Sequence, residues 1–296
     1  MEAPRRVEHQ MTDKGYVPVY TTTVVEQPWD QYTADDHRTW SILFQRQQEI
    51  LKGRACREFL ENQSAMGMSD ARIPKFEELN QHLIKATGWR LVAVEGLLPE
   101  LTFFQHLMNR EFPVTWWIRR PDQIDYIAEP DLFHDLFGHV PLLMNPVFAN
   151  YMQAYGAGGV RASTFGNEPL ANLTRLYWYT VEFGLIRSEE GLRIYGAGIL
   201  SSKGESIHSL ESAAPNRIGF DVERVMRTRY RIDTFQKTYF VIDSFEQLFR
   251  ATVDPDFGPI YYHLKGADSV PAGAVLDTDQ VDQRGSGEGW LTDGDV

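Results

Sequence analysis

Apolar residues in this chain recur mostly at helical spacing, with short β-branched runs between them. From Thr33 onward, Trp40, Leu43, Phe44 and Leu51 share one stripe while Arg38, Gln45, Gln48 and Glu49 face away, which predicts an amphipathic helix. A second helix follows Pro74, set as a first-turn residue, with Phe76, Leu79 and Leu83 inward and Gly88 as its stop. Arg90 to Glu95 predicts a strand, and the loop Gly96-Leu-Leu-Pro99 leads into a helix through Phe103, Phe104 and Leu107. Asn145-Pro146 reads as a helix start, Phe148, Tyr151, Met152 and Tyr155 as its buried stripe, and Gly156-Ala-Gly-Gly159 as its end. Asn167 and Pro169 open a long helix. A strand over 191–195, a loop of small residues over 196–205, a charged helix over 221–231, a strand over 238–243 and a serine-capped helix over 244–251 complete a mainly α pattern with small β elements.

Both ends differ from this pattern. Residues 1–32 carry Pro18, Pro28 and the β-branched run Thr21-Thr-Thr-Val-Val25 without helical period, and predict an extended arm. Residues 266–296 hold seven acids and one arginine, a net −6, with Gly285-Ser-Gly-Glu-Gly289 among them; that composition predicts a disordered acidic tail. One domain is expected over 33–265. The whole chain carries 29 basic against 41 acidic residues, a net −12, which disfavours nucleic acid or an anionic membrane as partner and leaves small molecules. Its single cysteine, Cys56, excludes an intrachain disulfide and a thiolate cluster and reads as a small buried hydrophobe. No stretch approaches the roughly 20 apolar residues of a membrane span, and no apolar core follows Arg5-Arg6 at the N-terminus, so a cytoplasmic protein is expected. The end shows no heptads, and a monomer is expected.

The candidate chemistry lies in Glu129-Pro-Asp-Leu-Phe-His134-Asp135-Leu-Phe-Gly138-His139-Val-Pro141. On a continuous α-helix, residues five apart diverge by about 140°. Gly138 suits a left-handed helix end and Pro141 cannot continue a helix, so His134 is expected on the helix and His139 turning in from its cap. Glu182 is the only charge in the run 176–186, and a carboxylate buried there without a cation would cost several kcal/mol. Two imidazoles and one carboxylate form the facial set of non-haem Fe(II) oxygenases. The alternative is structural: each histidine satisfies a core hydrogen bond and Glu182 pairs with a buried arginine.

Glu129-Pro-Asp, the His134 to His139 block with Val-Pro-Leu142 after it, Tyr177-Trp-Tyr-Thr-Val-Glu-Phe-Gly184 and Tyr195-Gly-Ala-Gly-Ile-Leu-Ser-Ser202 resemble the signatures of the pterin-dependent aromatic amino acid hydroxylases, over roughly 33–252. The blocks Phe133 to Phe137 and Leu142 to Pro146 are most similar to short bacterial members acting on phenylalanine. The resemblance implies a single catalytic domain, a helical basket around a non-haem iron site, with His134, His139 and Glu182 as ligands. It implies hydroxylation of L-phenylalanine to L-tyrosine with dioxygen and tetrahydropterin as co-substrate, the first step of phenylalanine catabolism, with a pterin carbinolamine dehydratase acting downstream. Leu98, Phe103 and Asp135 match pterin-site positions. Arg119 matches the arginine that grips the substrate carboxylate, Pro130, Trp178 and Phe183 the surroundings of its ring, and Ser201 a position beside the metal ligands at the substrate site. Asp131, Tyr177 and Glu205 match supporting residues. Ile232 matches a pocket position where tyrosine hydroxylases carry an acid; an apolar wall there would leave a phenolic hydroxyl unsatisfied, at about 1–3 kcal/mol.

Two departures stand out. Asp135 replaces the glutamate of many animal members, and Ile127 replaces a threonine that assists at the substrate carboxylate, which leaves Arg119 more of that task. Tryptophan hydroxylation on the same scaffold is the nearest alternative, since Ile232 tolerates an indole. A zinc hydrolase would need H-x-x-x-H with a glutamate beside the first histidine, whereas this chain has His-Asp-Leu-Phe-Gly-His. A glycine-rich phosphate loop over 196–205 matches neither G-x-G-x-x-G nor a P-loop.

Overall fold

The computed structural model describes residues 10–12, 15–17, 20–127, 129–253, 260–261 and 263–290. Parts of the expected arm (1–9, 13–14, 18–19) and the last six residues of the expected tail lie outside the described residues. The chain divides into two compact units, residues 1–46 with 60–161 and residues 47–59 with 162–296.

In the first unit, β1 (Gln10–Thr12) and β2 (Gly15–Val17) pair as an antiparallel hairpin, and β3 (Val24–Val25) follows. The helix α1 (Ala34–Leu51) begins where the Thr33 hydroxyl accepts from the Asp36 N–H at 3.2 Å and the Asp36 carboxylate accepts from the Thr33 N–H at 2.8 Å, a reciprocal cap. After α2 (Arg57–Ala65), α3 (Phe76–Thr87) starts one residue beyond its cap Lys75, so Pro74 precedes the helix instead of lying in its first turn. Gly88 ends it at φ 76°, its N–H donating to the Leu83 and Ile84 carbonyls. Strand β4 (Arg90–Val94) pairs antiparallel with β3 and parallel with β5 (Glu111–Thr115), and α4 (Glu100–Met108) supplies the crossover that a parallel pair requires.

Helix α5 (Pro146–Ala162) is capped by the Asn145 side chain, which accepts from the N–H groups of Val147 and Phe148 at 3.0 and 3.1 Å. It runs through the glycines expected to end it. A Cβ at Gly156 would stand 2.5 Å from the Met108 backbone nitrogen, and one at Gly159 would stand 2.1 Å from the Phe104 ring. These glycines admit α4 against the helix rather than terminating it.

The second unit contains α6 (Asn167–Tyr177), β6 (Leu185–Ser188), β7 (Gly191–Ile194), α7 (Ala197–Leu200), α8 (Lys203–Glu211), β8 (Asn216–Gly219), α9 (Val222–Arg227), β9 (Thr238–Ile242), α10 (Phe245–Thr252) and β10 (Val281–Gln283). Its sheet has the order β10-β8-β9-β6-β7, with β9 parallel to both neighbours and buried along its whole length. Burial on both faces explains the continuous run Tyr239-Phe-Val-Ile242. The expected loop over 196–205 is α7 and the start of α8, capped by the Ser202 hydroxyl, and the charged helix after Asp221 stops at Arg227.

The largest correction concerns residues 266–290, expected to be a disordered tail. They form part of this unit: β10 pairs antiparallel with β8, the Thr238 hydroxyl donates to the Ala272 carbonyl at 2.6 Å, and the Asn216 amide donates to the Gly273 carbonyl at 3.1 Å. Composition counted the acids as solvated, but Asp279 pairs with buried Arg224 and Asp282 with Arg187. Residue 265 is therefore no boundary. Among the described residues, no helix is long and apolar enough to cross a membrane.

Candidate metal centre

The two histidines come together by a different route from the expected helix cap. His134–His139 is a single π-helical turn, and it continues into a 3-10 turn, Val140–Met144, that takes Pro141 in its first positions. Gly138 is not left-handed, and His139 remains helical at φ −91°, ψ −43°. A π turn closes i to i+5, so side chains that would diverge on an α-helix lie side by side. The rings stand perpendicular, centroids 4.9 Å apart, with the two Nε2 atoms 3.1 Å from each other. The turn is anchored in the core by Phe133 and Phe137, stacked at 4.8 Å, which meet the edges of Trp40 and Phe44 at 5.5 and 5.3 Å.

Asp131 ties this turn to Arg119. Its carboxylate takes two side-chain hydrogen bonds from the Arg119 guanidinium at 2.9 and 2.8 Å, and accepts the backbone N–H groups of Arg119 and His134 at 2.8 and 3.1 Å. Burial works to raise the Asp131 carboxyl, but the Arg119 charge and these donors outweigh it and hold it below the usual range. Asp135 has its own partner: its carboxylate accepts the Thr115 backbone N–H at 2.7 Å, and burial pushes it up to about 7 against the pull of His139 and Thr115.

Glu182 closes a second π-helical turn, Trp178–Glu182, that follows α6 directly. The chain beyond it is clamped: the N–H groups of Tyr195 and Gly196 donate to the Gly184 carbonyl, and a Cβ at Gly196 would lie 2.4 Å from the Glu182 carbonyl. His134, His139 and Glu182 each offer one ligand atom, and these atoms lie within 4.8 Å of one another. Two imidazole nitrogens and one carboxylate oxygen fit a divalent iron and leave coordination positions open.

The remaining candidates are distributed as follows. Leu98 and Phe103 are half-buried, in the loop before α4 and in its first turn, and Pro130 is half-buried beside Asp131. Trp178 lies 4.3 Å from the Tyr230 ring, nearly parallel to it, and 4.6 Å from Phe183; its indole N–H donates to Gln236 at 3.0 Å. Tyr177 is half-buried, and the buried Ser201 hydroxyl donates to the Ala197 carbonyl at 2.8 Å. Glu205, also buried, accepts from the Gln236 backbone N–H and the Tyr239 hydroxyl; burial raises its carboxyl to about 7 although both donors lower it. Ile232 requires a correction. Its side chain is 70% exposed, in the turn bearing the Arg231–Asp233 ion pair, so it forms no buried apolar wall and the argument from that wall against tyrosine falls. Gln236, Tyr239 and Thr115 carry no local sign of their partners: Tyr239 sits inside a continuous strand run, and Gln236 and Lys237 are two polar residues between Phe235 and that strand.

Residues 20–253 match the family model of the biopterin-dependent aromatic amino acid hydroxylases, and the chain belongs to that family. Within it, the chain is 62% identical over 272 residues to the phenylalanine-4-hydroxylase of Ralstonia nicotianae, covering 92% of this chain and 86% of that protein. It is 60% identical over 270 residues to the phenylalanine-4-hydroxylase of Chromobacterium violaceum, covering 91% and 90%. A crystal structure of the Chromobacterium violaceum enzyme with iron(III) and 7,8-dihydrobiopterin superposes with a TM-score of 0.84 at 59% identity, covering 88% of this chain and 93% of that one. Another, with iron and phenylalanine, superposes at 0.83 with 60% identity, covering 87% and 93%.

Proposed function

We propose that this chain hydroxylates L-phenylalanine to L-tyrosine with dioxygen and a tetrahydropterin, a phenylalanine 4-monooxygenase reaction, on one Fe(II) held by His134, His139 and Glu182. The observation that carries the reading is the donor set itself, three ligand atoms within 4.8 Å. The high-identity relatives with bound iron, dihydrobiopterin and phenylalanine support it. Iron and pterin, when bound, supply the oxygen chemistry.

The protein's own residues bind and orient. Arg119 grips the substrate carboxylate. Its guanidinium plane is set by the two bonds to Asp131, which leaves the third nitrogen for the substrate carboxylate. Because Asp131 also accepts the His134 N–H, substrate grip and metal ligand share one buried anion. Pro130, Trp178 and Phe183 would offer apolar surface to the aromatic ring, and Leu98 and Phe103 would offer it to the pterin, with Asp135 as the polar residue of that site. Ser201, Tyr177 and Glu205 support the ligand-bearing segments. We also infer a cytoplasmic monomer whose oxidised pterin product passes to a carbinolamine dehydratase; the net charge of −12 and the buried single cysteine are consistent with that setting.

Metal analysis combined with oxygen uptake tests the reading. Iron-loaded protein should consume oxygen and form tyrosine only when reduced pterin and phenylalanine are both present. Pterin-independent activity restored by zinc would overturn it, and a kcat/KM for tryptophan above that for phenylalanine would overturn the substrate assignment alone.

A further inference from the structure

The buried amide of Gln236 has both ends committed. Its Oε1 accepts the Trp178 indole N–H at 3.0 Å, and its Nε2 donates to the Arg231 carbonyl at 3.0 Å. The orientation is dictated chemically: a carbonyl only accepts and an indole N–H only donates, so the NH₂ must face Arg231 and the oxygen must face Trp178. The backbone of Gln236 is fixed in turn, its N–H donating to Glu205 at 3.1 Å, and Glu205 is held by the Tyr239 hydroxyl at 2.5 Å. Trp178 thus has one face on Tyr230, Phe183 beside it, and its one polar atom tethered. Trp178 is also the first residue of the π-helical turn that ends in Glu182.

We propose that Gln236 is a positioning residue for the hydroxylation: through the indole N–H it fixes the rotation of Trp178, and so the plane of the apolar surface offered to the substrate's aromatic ring. Stacking leaves a ring free to turn in its own plane or slide along its partner; a single directional hydrogen bond removes that freedom. The proposal rests on the reading of Trp178 as a substrate-ring residue. Gln236 touches neither substrate nor metal in this account, so its loss should appear in the amino acid KM and in tyrosine formed per pterin oxidised, leaving iron content and pterin KM unchanged.

The test is a double-mutant cycle with Gln236→Leu and Trp178→Phe, the second of which removes the N–H and keeps an aromatic ring. Gln236→Leu should raise the phenylalanine KM about fivefold, the size of one neutral hydrogen bond, and lower the coupling of pterin oxidation to tyrosine. In the Trp178→Phe background it should add nothing further. Gln236→Glu supplies a second readout and a safeguard against misfolding of the leucine variant. A glutamate side chain keeps an oxygen to accept the indole N–H, so that variant's phenylalanine KM should lie nearer the parent's than that of Gln236→Leu. Additive effects of Gln236→Leu and Trp178→Phe, or a Gln236→Glu KM raised as far as that of Gln236→Leu, would overturn the proposal and leave the role of Trp178 standing. A Trp178→Phe variant with unchanged phenylalanine KM and coupling would remove Trp178 from the ring site and overturn the proposal with it.

Discussion

Asp279→Asn should unfold this protein far more readily than a change of one acid in an acidic segment would suggest. Arg224 is 6% and Asp279 3% exposed, and the pair is bonded at 2.9 and 3.3 Å. Two further guanidinium bonds go to the Thr228 hydroxyl and the Ala274 carbonyl. Asparagine keeps the shape but removes the charge, and breaking a buried pair from one side costs about 3–5 kcal/mol because the other charge stays buried. For a chain of this size each kcal/mol shifts Tm by roughly 2 °C, so a fall of about 6–10 °C is expected. Differential scanning calorimetry on the iron-loaded protein measures it, with urea midpoints as a check. The double variant Arg224→Met with Asp279→Leu should recover much of the loss, since an apolar pair leaves no buried charge. Truncation after Lys265 removes Asp279, β10 and the carbonyls of Ala272 and Gly273 together, and should cost more than Asp279→Asn alone. A Tm for Asp279→Asn within 2 °C of the parent's would refute the reasoning, and so would an undiminished Tm after truncation.

Three further predictions follow from particular contacts. Glu205 has a carboxyl raised to about 7 when folded, so the folded state binds more protons than the unfolded one between its ordinary pKa of 4.5 and 7; stability falls as pH rises through that window and levels off above it, by on the order of 3 kcal/mol. Glu205→Gln keeps acceptors for Gln236 and Tyr239, so its urea midpoint should lack this part of the pH dependence; a slope identical to the parent's would contradict the assignment. Gly156→Ala should destabilise by about 1–3 kcal/mol despite the helix propensity gained, because its Cβ meets the Met108 backbone at 2.5 Å, and a more stable variant would show that α4 can move away. Arg119→Lys keeps the charge but loses the fork on Asp131, so the phenylalanine KM should rise at least tenfold, and an unaltered KM would place the carboxylate elsewhere.

Much of this was written in local pattern. The stripe of α1, the stop at Gly88, the strand entering Val94, the caps at Asn145 and Ser244 and the candidate ligands are properties of a few neighbouring residues, which periodicity and capping chemistry report. What escaped depended on partners distant in sequence. Gly156 and Gly159 look like helix breakers until α4 is seen against them. Asp279 looks solvated until Arg224 is found, 55 positions earlier. Ile232 has a wall role only through the family resemblance, since nothing local fixes the direction of its side chain. The histidines illustrate a third case: their convergence was anticipated, but through a helix cap, because a π turn has no sequence signal that separates it from a helix ending at glycine.

The most direct test of the metal centre is iron bound per chain after anaerobic loading and desalting, measured for the parent and for His134→Ala, His139→Ala and Glu182→Ala, with Lys52→Ala, an exposed position just past α1, as the control outside the ligand set. The parent and the control should retain one iron per chain, and each alanine variant should lose affinity by at least about tenfold, the smallest effect expected even of residues that only support a ligand. Full iron occupancy in any one of the three alanine variants would contradict the assignment of that residue, and full occupancy in all three would place the iron somewhere else.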